Sequence, residues 1–590
     1  MTSRMDIKLI FKAAGRFPAA LISALCLALA APALIVACQE PEIVMPDDHP
    51  GDKPGDKPED KPGENPEDTP GSDTPSDPAI DTTLPVNPID TVAPVDPGID
   101  TTSGPVEPEE PHDTLGPDDK PAFTHFAIEG VEYCFISDGT LIVVLPPEKS
   151  LEEAEVTYTA NVMNVAFRKQ PTESGVKFTF EQGKAYPYQL TAEDGRTATY
   201  KVKAYRFDLP VLFIESDIIK SKNIWVEGAS ITFRYPSGDT LCYASRVKGR
   251  GNSTWNWPKK PYTIGLEHRN SFFELPKHKR WNLMANWKDH TLIRNDVAFE
   301  VARRTDLEWT PSGDFVELIL NGVHRGNYYL CEKIAVDKHR LALHELQPGD
   351  DDITGGYLLE FALDEYDEAM KNEWAGGVPY AFKSPKYQLP VVIHEPDSDV
   401  LTKAQYDYVY KYISDIEGSL SNSTKLINGE CFEYIDIETF ADWYLVIELT
   451  GLWEPNQPKS CYMYKDQGGK LKAGPVWDFD WSTFNPGYKG LQIKDALWFK
   501  RLLRNGEFND KLVEEWIKHR DELYSVLDYI LMRKEQLMFS ATVDKEMWPF
   551  NDMVTHDLNG DEFMSVEEAF DRMYDAYKER WEWMDSMFGE

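Results

Sequence analysis

Apolar and polar positions alternate in short runs between about residue 121 and residue 207. The runs Phe123-Thr-His-Phe-Ala-Ile128 and Thr140-Leu-Ile-Val-Val-Leu145 are rich in the β-branched and aromatic residues that favour strands. Two later runs flank Asp194-Gly195, a dipeptide typical of a tight hairpin turn. The spacing of runs and turns predicts an all-β sandwich over residues 121–207.

Residues 210–590 begin with further strand-like runs, and Asn321-Gly322 between two of them predicts another hairpin. Apolar residues then recur at helical spacing. The predicted helices are Thr291 to Arg304, Leu401 to Leu420, Ile437 to Leu452, Asn509 to Leu537 and Ser565 to Phe588. The pattern predicts an α+β domain over residues 210–590. The β-rich segment before it resembles the small immunoglobulin-like modules common in surface lipoproteins.

The N-terminus has the pattern of a secretory signal. Basic residues precede an apolar, Ala-rich run from Phe17 to Ala37, and Cys38 follows. The junction at Ala37-Cys38 resembles a bacterial lipobox, so we predict a signal peptide over residues 1–37 and lipidation of Cys38. Such a lipid would tether the protein to a membrane. A plain signal peptide or a transmembrane anchor is the alternative.

The segment 38–120 is rich in Pro and acidic residues. Between Gln39 and Lys120 there are 23 Asp or Glu and 4 Lys, a net charge of −19 out of −39 for the whole chain. Dense like charge and little apolar surface predict a disordered linker. The overall acidity argues against a nucleic-acid partner. Gln39-Glu-Pro-Glu42 resembles the export tags of surface lipoproteins in Bacteroidetes-type bacteria.

Two separated segments carry the candidate chemistry. Ser245-Arg-Val-Lys-Gly-Arg-Gly-Asn-Ser-Thr-Trp255 is a basic turn with glycines, and Pro475-Val-Trp-Asp-Phe-Asp480 places two carboxylates two residues apart. Backbone N–H groups and cations in such a turn bind anions, and carboxylates hold hard cations such as Mg²⁺. Together the segments predict a metal–phosphate site.

Further segments accompany this pair in a fixed order. They are Trp281-Asn-Leu-Met-Ala-Asn-Trp-Lys-Asp-His290, Asn321-Gly-Val-His-Arg-Gly-Asn-Tyr-Tyr-Leu-Cys-Glu-Lys333, Gly355-Gly-Tyr-Leu-Leu-Glu360 and Ala381-Phe-Lys-Ser-Pro385. The set resembles the CotH kinase family over roughly residues 210–590. The resemblance implies an atypical protein-kinase-like fold. It also implies transfer of the ATP γ-phosphoryl group to Ser on a protein, with Mg²⁺ or Mn²⁺ as cofactor.

The resemblance assigns roles position by position. Asp478 matches the family's metal-binding Asp and is a candidate catalytic residue, and Asp480 assists it at the metal. The residues placed at the nucleotide phosphates are Arg250, Asn252, Lys260, Lys333 and Lys383. Lys333 and Lys383 are the candidates for the phosphate lysine, with Glu332 or Glu360 as its ion-pair partner, and the sequence does not choose between them. The alternatives are structural roles: Asp478 caps a turn, the glycine-rich segment is a basic hairpin edge in solvent, and the lysines form ordinary surface ion pairs.

One segment departs from the family pattern. In Leu452-Trp-Glu-Pro-Asn-Gln-Pro-Lys-Ser460 the catalytic Asp position holds Glu454, and the second metal-ligand position, normally Asn, holds Ser460. Glu is one methylene longer than Asp, and a misplacement of about 1 Å can cost about a hundredfold in rate. Asn456 is an alternative ligand. The sequence therefore supports the fold more strongly than the activity.

A second acidic segment resembles a calcium-binding loop. Asp557, Asn559, Asp561 and Glu568 match ligand positions, but Glu562 stands where the loop needs a turn Gly. The alternative is an acidic loop that caps the last helix, in which Ser565 and Glu568 form a capping box.

Two functions remain open from the sequence. The first is a surface-anchored, CotH-like serine kinase acting on an exported protein. The second is a catalytically degenerate CotH-fold protein that binds a surface ligand or serves adhesion at the cell envelope. Both place the chain on the outer membrane through its lipid anchor, exposed at the surface.

Overall fold

The computed structural model describes residues 113–589, except 134, 138, 372–376, 551–558 and 562, and gives only the backbone of 135–137. The predicted signal peptide, Cys38 and the linker up to residue 112 lie outside the described residues. Within them, none of the helices combines the length and the apolar character needed to cross a bilayer. The described residues belong to one compact unit that begins at Pro111.

Two sheets form the first module. Its strands are β1 Phe123–Ile128, β2 Val131–Glu132, β3 Phe135–Ser137, β4 Thr140–Leu145, β5 Ala154–Ala160, β6 Asn164–Phe167, β7 Gln170–Pro171, β8 Val176–Phe178, β9 Tyr186–Thr191 and β10 Thr197–Arg206. The orders are β2-β1-β5-β8 and β3-β4-β10-β9-β6-β7. Both sheets contribute to one apolar core that includes Phe126, Val156 and Leu190. The likeness to immunoglobulin modules stays a prediction.

A closed barrel follows. Its strands are β11 Val211–Glu215, β12 Val226–Arg234, β13 Thr240–Gly249, β14 Tyr262–Asn270, β15 His278–Met284, β16 Gly313–Leu320 and β17 Val323–Glu332, in the order β11-β12-β13-β14-β15-β17-β16. Trp281, Phe233 and Leu318 are among the buried residues that fill it. A second apolar cluster, which includes Val144, Phe207 and Phe213, joins the barrel to the first module.

The predicted Asn321-Gly322 hairpin is confirmed. Strands β16 and β17 pair antiparallel across it, and both turn residues have positive φ, 49° and 69°. Side chains rarely adopt this conformation, and Asn and Gly tolerate it best.

A five-stranded sheet and the helices complete the chain. The strands are β18 Tyr357–Phe361, β19 Ala381–Lys383, β20 Pro390–Glu395, β21 Cys461–Lys465 and β22 Lys472–Ala473, in the order β19-β20-β18-β21-β22. The helices are α1 Arg294–Arg303, α2 Leu363–Ala369, α3 Lys403–Ser421, α4 Ser423–Ile427, α5 Ile437–Thr450, α6 Phe499–Leu502, α7 Gly506–Tyr524, α8 Val526–Met547 and α9 Val566–Phe588. Mixed helices and sheets agree with the predicted α+β class.

One predicted helix was wrong in extent. The segment Asn509–Leu537 belongs to two helices, α7 and α8, which meet at Ser525. The hydroxyl of Ser525 donates to the carbonyl of Glu522 at 2.7 Å and so competes with the helical hydrogen bonds. The predicted capping box of the last helix is present, with reciprocal bonds between Ser565 and Glu568.

Candidate active site

A cleft of about 780 Å³ lies between the barrel and the five-stranded sheet. The turn after β13 supplies Arg250 and Asn252, while the segment after α5 supplies Glu454 and Ser460. The remaining acids of its wall are Glu360 of β18 and the pair Asp478 and Asp480. Residues more than two hundred positions apart in the chain therefore meet in one cleft, as the two motifs predicted.

The acidic residues of the cleft strengthen one another's hold on protons. Burial, and then the charge of Asp478, raises the pKa of Glu454 to about 8. Burial and Asp478 likewise raise the pKa of Asp480 to about 7. Burial and Glu360 raise the pKa of Asp478, which the guanidinium of Arg250 opposes. A cation placed between carboxyl groups crowded in this way would stabilise their charged forms.

The backbone of the acidic pair is strained. Asp478 has φ of 70°, in the left-handed region that side chains rarely occupy. Such a conformation persists only where the surroundings fix it, and it is common at functional sites. The side-chain oxygen of Asn295, at the start of α1, accepts the N–H of Phe479 at 2.7 Å. This bond holds the backbone between the two aspartates.

A second asparagine holds the other end of the pair. Asn559 donates to the carbonyls of Asp480 at 2.9 Å and Lys288 at 3.1 Å, and it accepts the N–H of Ser482 at 2.9 Å. Asn559 is completely buried. Its segment is the one that resembles a calcium loop, and the structure uses this side chain to position the Trp-Asp-Phe-Asp segment.

The calcium interpretation of that segment is not supported by its geometry. The carboxylate of Asp561 faces inward and pairs with the guanidinium of Arg294 at 2.9 Å, and both side chains are fully buried. Arg294 also pairs with Asp289. Asp561 and Asp289 raise the pKa of Arg294 although burial alone would lower it. A guanidinium thus takes the charge-balancing place that Ca²⁺ would need, while Asp557 and Glu562 lie outside the described residues.

Cations stand beside the acids. The guanidinium of Arg250 lies 5.5 Å from the ring centre of Trp477, and the ammonium of Lys288 lies 4.4 Å from Trp257 and 3.9 Å from Trp481. Cations held over aromatic faces keep a defined position. The motif tryptophans therefore form part of the site wall.

The comparisons with known proteins identify the domain. The family described as "CotH kinase protein" matches residues 247–583, more than half of the chain. The chain belongs to the CotH kinase family. Among curated proteins there is no match. A crystal structure titled as a "putative glycoside hydrolase" from Bacteroides thetaiotaomicron aligns at 13% identity over 28% of this chain and 52% of that chain, with a TM-score of 0.17. That match spans about half of the other protein and is too slight to carry an argument.

Two residues assigned from the CotH resemblance do not line the cleft. The ammonium of Lys260 donates to the carbonyl of Trp255 at 2.7 Å. Lys383 ends β19 with its ammonium 5.3 Å from the ring of Tyr366. These contacts hold both side chains outside the cleft. Of the three lysines assigned to the phosphates, Lys333 is the one in the cleft wall.

The partner of the phosphate lysine was left open by the sequence. In the structure Glu332 pairs with Arg340 at 3.4 Å, and Glu360 hydrogen-bonds His394 at 2.6 Å. Among the described residues neither glutamate forms an ion pair with Lys333. The side chain of Asn252 also has protein partners at the rim of the cleft. Its oxygen accepts from the ammonium of Lys222 at 2.6 Å, and its nitrogen donates to Glu365 at 2.9 Å.

Sequence reasoning missed a basic group at the cleft, in which Lys248 and Arg280 line the wall and Arg246 lies beside them on Trp225. Arg246, Lys248 and Arg280 place their charges 4.6, 5.1 and 4.6 Å from the ring of Trp225. Gly265 of β14 pairs with Arg246 on one neighbouring strand and with Arg280 on the other. A Cβ at this position would stand 2.6 Å from Arg280 Nη1, so glycine leaves the room that this side chain needs. The alternation of Arg246 and Lys248 along β13, continued by Arg250 just after it, is the sequence signal for one basic strand face.

The residues present fit the divalent metal that the CotH family implies. Asp478, Asp480 and Glu454 offer the oxygen ligands that Mg²⁺ and Mn²⁺ prefer, and burial together with neighbouring carboxylates raises the pKa of each. Ser460 has φ of 50° and lines the cleft beside them. A hydroxyl can contribute there, although it is a weaker ligand than an amide carbonyl.

Proposed function

We propose that this CotH protein transfers the γ-phosphoryl group of ATP to a serine hydroxyl of an exported protein, with Mg²⁺ or Mn²⁺. The observation that carries the proposal is the meeting of Glu454, Asp478 and Asp480 with Arg250 and Lys333 in one cleft. Phosphoryl transfer needs carboxylates for the metal, cations for the phosphates and a base for the hydroxyl. This cleft contains each of these groups.

The proposed roles follow from charge and position. Asp478 and Asp480 would hold the metal, which would supply positive charge against the phosphates. Arg250 and Lys333 bind phosphate oxygens. Glu454 accepts the hydroxyl proton while the serine oxygen bonds to the γ-phosphorus and the bond to the β-phosphate oxygen breaks, releasing ADP. Lys459 opposes the rise in the pKa of Glu454 and so favours its charged form.

The test compares nucleotide binding and transfer in three variants. Isothermal titration of ATP with Mg²⁺ or Mn²⁺ into the purified protein should give metal-dependent binding that Asp478→Asn abolishes. Glu454→Gln should keep binding and lose transfer of labelled phosphate, because only the base is removed. Lys383→Met, outside the cleft, is the matched control and should behave as wild type. Absence of ATP binding with either metal would refute the proposal.

A second candidate is a binding or adhesion protein of the cell envelope with an inactive CotH fold. Glu454 and Ser460 favour it, because they stand where the family has its catalytic Asp and its Asn. Transfer of phosphate by the wild-type protein, lost in Glu454→Gln, would exclude this candidate. ATP binding without any transfer to added proteins or to itself would favour it.

We further propose that the chain is a lipoprotein exposed on the outer membrane. The support is the sequence around Ala37-Cys38, the acidic stretch after it and the linker that would hold the folded part away from the lipid. Metabolic labelling with a radioactive fatty acid should mark the wild type and not Cys38→Ala. External protease should remove the protein from intact cells, and full protection would contradict surface exposure.

A further inference from the structure

A second cluster of ionisable residues, three acids and one histidine, lies outside the cleft. Asp306 follows α1, Asp442 is on α5, and Glu515 and His519 are one turn apart on α7. None of the four lines the cleft. Asp442 and Glu515 have 1% and 2% exposure and His519 has 7%, so three of the four side chains are shut off from bulk water. Asp306 is exposed and leaves a path to solvent.

The contacts of the His519 imidazole with the three carboxylates are long for hydrogen bonds, although the N–H of Asp306 donates to Asp442 Oδ2 at 3.1 Å. His519 Nε2 lies 3.4 Å from Glu515 Oε2, 3.8 Å from Asp442 Oδ1 and 4.0 Å from Asp306 Oδ2. Both His519 Nε2 and Asp442 Oδ1 are buried without a hydrogen-bond partner. Buried polar atoms almost always have a partner, so two that face the same point suggest a missing ligand.

These distances suit a small cation. Ligands at about 2.0–2.2 Å from a tetrahedral Zn²⁺ stand about 3.4 Å from one another. The oxygens around His519 Nε2 are at that spacing or slightly wider, as in a site whose ligands spread without the ion. One ligand atom each of Asp306, Glu515 and His519 lies within 4.8 Å of the other two, and Asp442 adjoins this set through His519 at 3.8 Å.

The charge balance also favours a cation. Three carboxylates face one imidazole, and the ammonium of Lys518 contacts Asp306 and lies 2.9 Å from Glu515 Oε2. Lys511 reaches Glu515 at 3.7 Å from the other side. Among the described residues no lysine or arginine pairs with Asp442, whose one basic neighbour within 4.0 Å is His519.

We propose that Asp306, Asp442, Glu515 and His519 form a binding site for Zn²⁺ or a similar first-row divalent cation, separate from the CotH cleft. The imidazole argues against Mg²⁺ and Ca²⁺, which prefer oxygen ligands alone. The ion joins the loop after α1 to α5 and α7. Helix α5 ends at Thr450, four residues before the proposed base Glu454. An ion bound to Asp442 would therefore stabilise the helix that leads into the segment of Glu454. Lys518 swings toward solvent when the ion binds, as its half-exposed side chain allows.

The test uses Co²⁺ as a spectroscopic probe on the full chain stripped of metal. Co²⁺ bound to one imidazole and three carboxylates gives visible absorption bands, and Zn²⁺ should remove them by displacement. The bands should persist in Asp478→Asn, which alters the cleft, and vanish in His519→Gln and Asp442→Asn. Each of these two changes should weaken Zn²⁺ binding by more than the about 10- to 100-fold that loss of an outer partner costs.

Two further measurements protect the test against misfolding. Lys518→Met should tighten Zn²⁺ binding, because it removes the competing cation without removing a ligand. Crystals of the wild-type protein grown with Zn²⁺ should show an anomalous peak between His519 Nε2 and Asp442 Oδ1. Bands that survive His519→Gln, no anomalous peak at this point, or an affinity unchanged by Lys518→Met would each overturn the proposal.

Discussion

Asn559 should control both the stability of the domain and the metal affinity of the cleft. Its side chain bonds three backbone groups around the second aspartate, the carbonyls of Asp480 and Lys288 and the N–H of Ser482. Replacement by alanine removes all three bonds at once. Because the site is fully buried, water has no direct access to replace them.

The expected loss can be worked out from these bonds. The N–H of Ser482 is left buried and unpaired, which costs about 1–3 kcal/mol. The two carbonyls each lose a donor as well, so we expect Asn559→Ala to lower the free energy of unfolding by about 2–4 kcal/mol in total. The freed loop also lets Asp480 move, and a shift of about 1 Å in a reacting group can cost about a hundredfold in rate.

The assay is urea denaturation followed by tryptophan fluorescence, together with Mn²⁺ titration of the folded protein. Asn161→Ala is the matched control. The side chain of Asn161 likewise bonds the backbone, accepting from the N–H of Ala122 at 2.7 Å and donating to the carbonyl of Lys120 at 3.0 Å, but it lies in the first module. The control should lose stability and keep its Mn²⁺ affinity. If Asn559→Ala unfolds within about 0.5 kcal/mol of wild type and binds Mn²⁺ equally well, the reasoning is refuted.

Four other predictions concern charge. Asp544→Asn should cost about 3–5 kcal/mol by urea denaturation, because it strands the fully buried ammonium of Lys259, 2.6 Å away; a cost below about 1 kcal/mol would contradict this. Mg²⁺ binding at pH 7 should release protons from Glu454 and Asp480, whose pKa values are raised to about 8 and about 7. Calorimetry in buffers of different ionisation enthalpy measures the release, which should shrink above pH 8. The same shifts let the native state hold more protons than the unfolded state, so the stability of the metal-free protein should fall as the pH rises from about 4.5 to 8. Arg280→Gln should weaken ATP binding more at low than at high salt, and an affinity equal to wild type at low salt would show that the basic group does not reach the ligand.

Much of the site could be read from local sequence. The glycine-punctuated turn and the Trp-Asp-Phe-Asp segment are short, and the chemistry of each depends on residues within a few positions. Asn321-Gly322 fixed a hairpin for the same reason, since φ preference is a property of the dipeptide. The side-chain directions of Lys260 and Lys383 could not be read in this way, because they depend on what packs beside them.

The sequence by itself determined that this chain has a CotH domain and which acidic residues are candidates for its metal. The family follows from resemblance to long motifs, and the acidic candidates follow from the residue types within those motifs. Only the tertiary structure decided that Arg294 balances Asp561, that Asn559 holds the acidic pair, and that Asp306, Glu515 and His519 converge beside Asp442. Each of these contacts joins segments far apart in the chain, and burial sets its strength, so no local pattern predicts it.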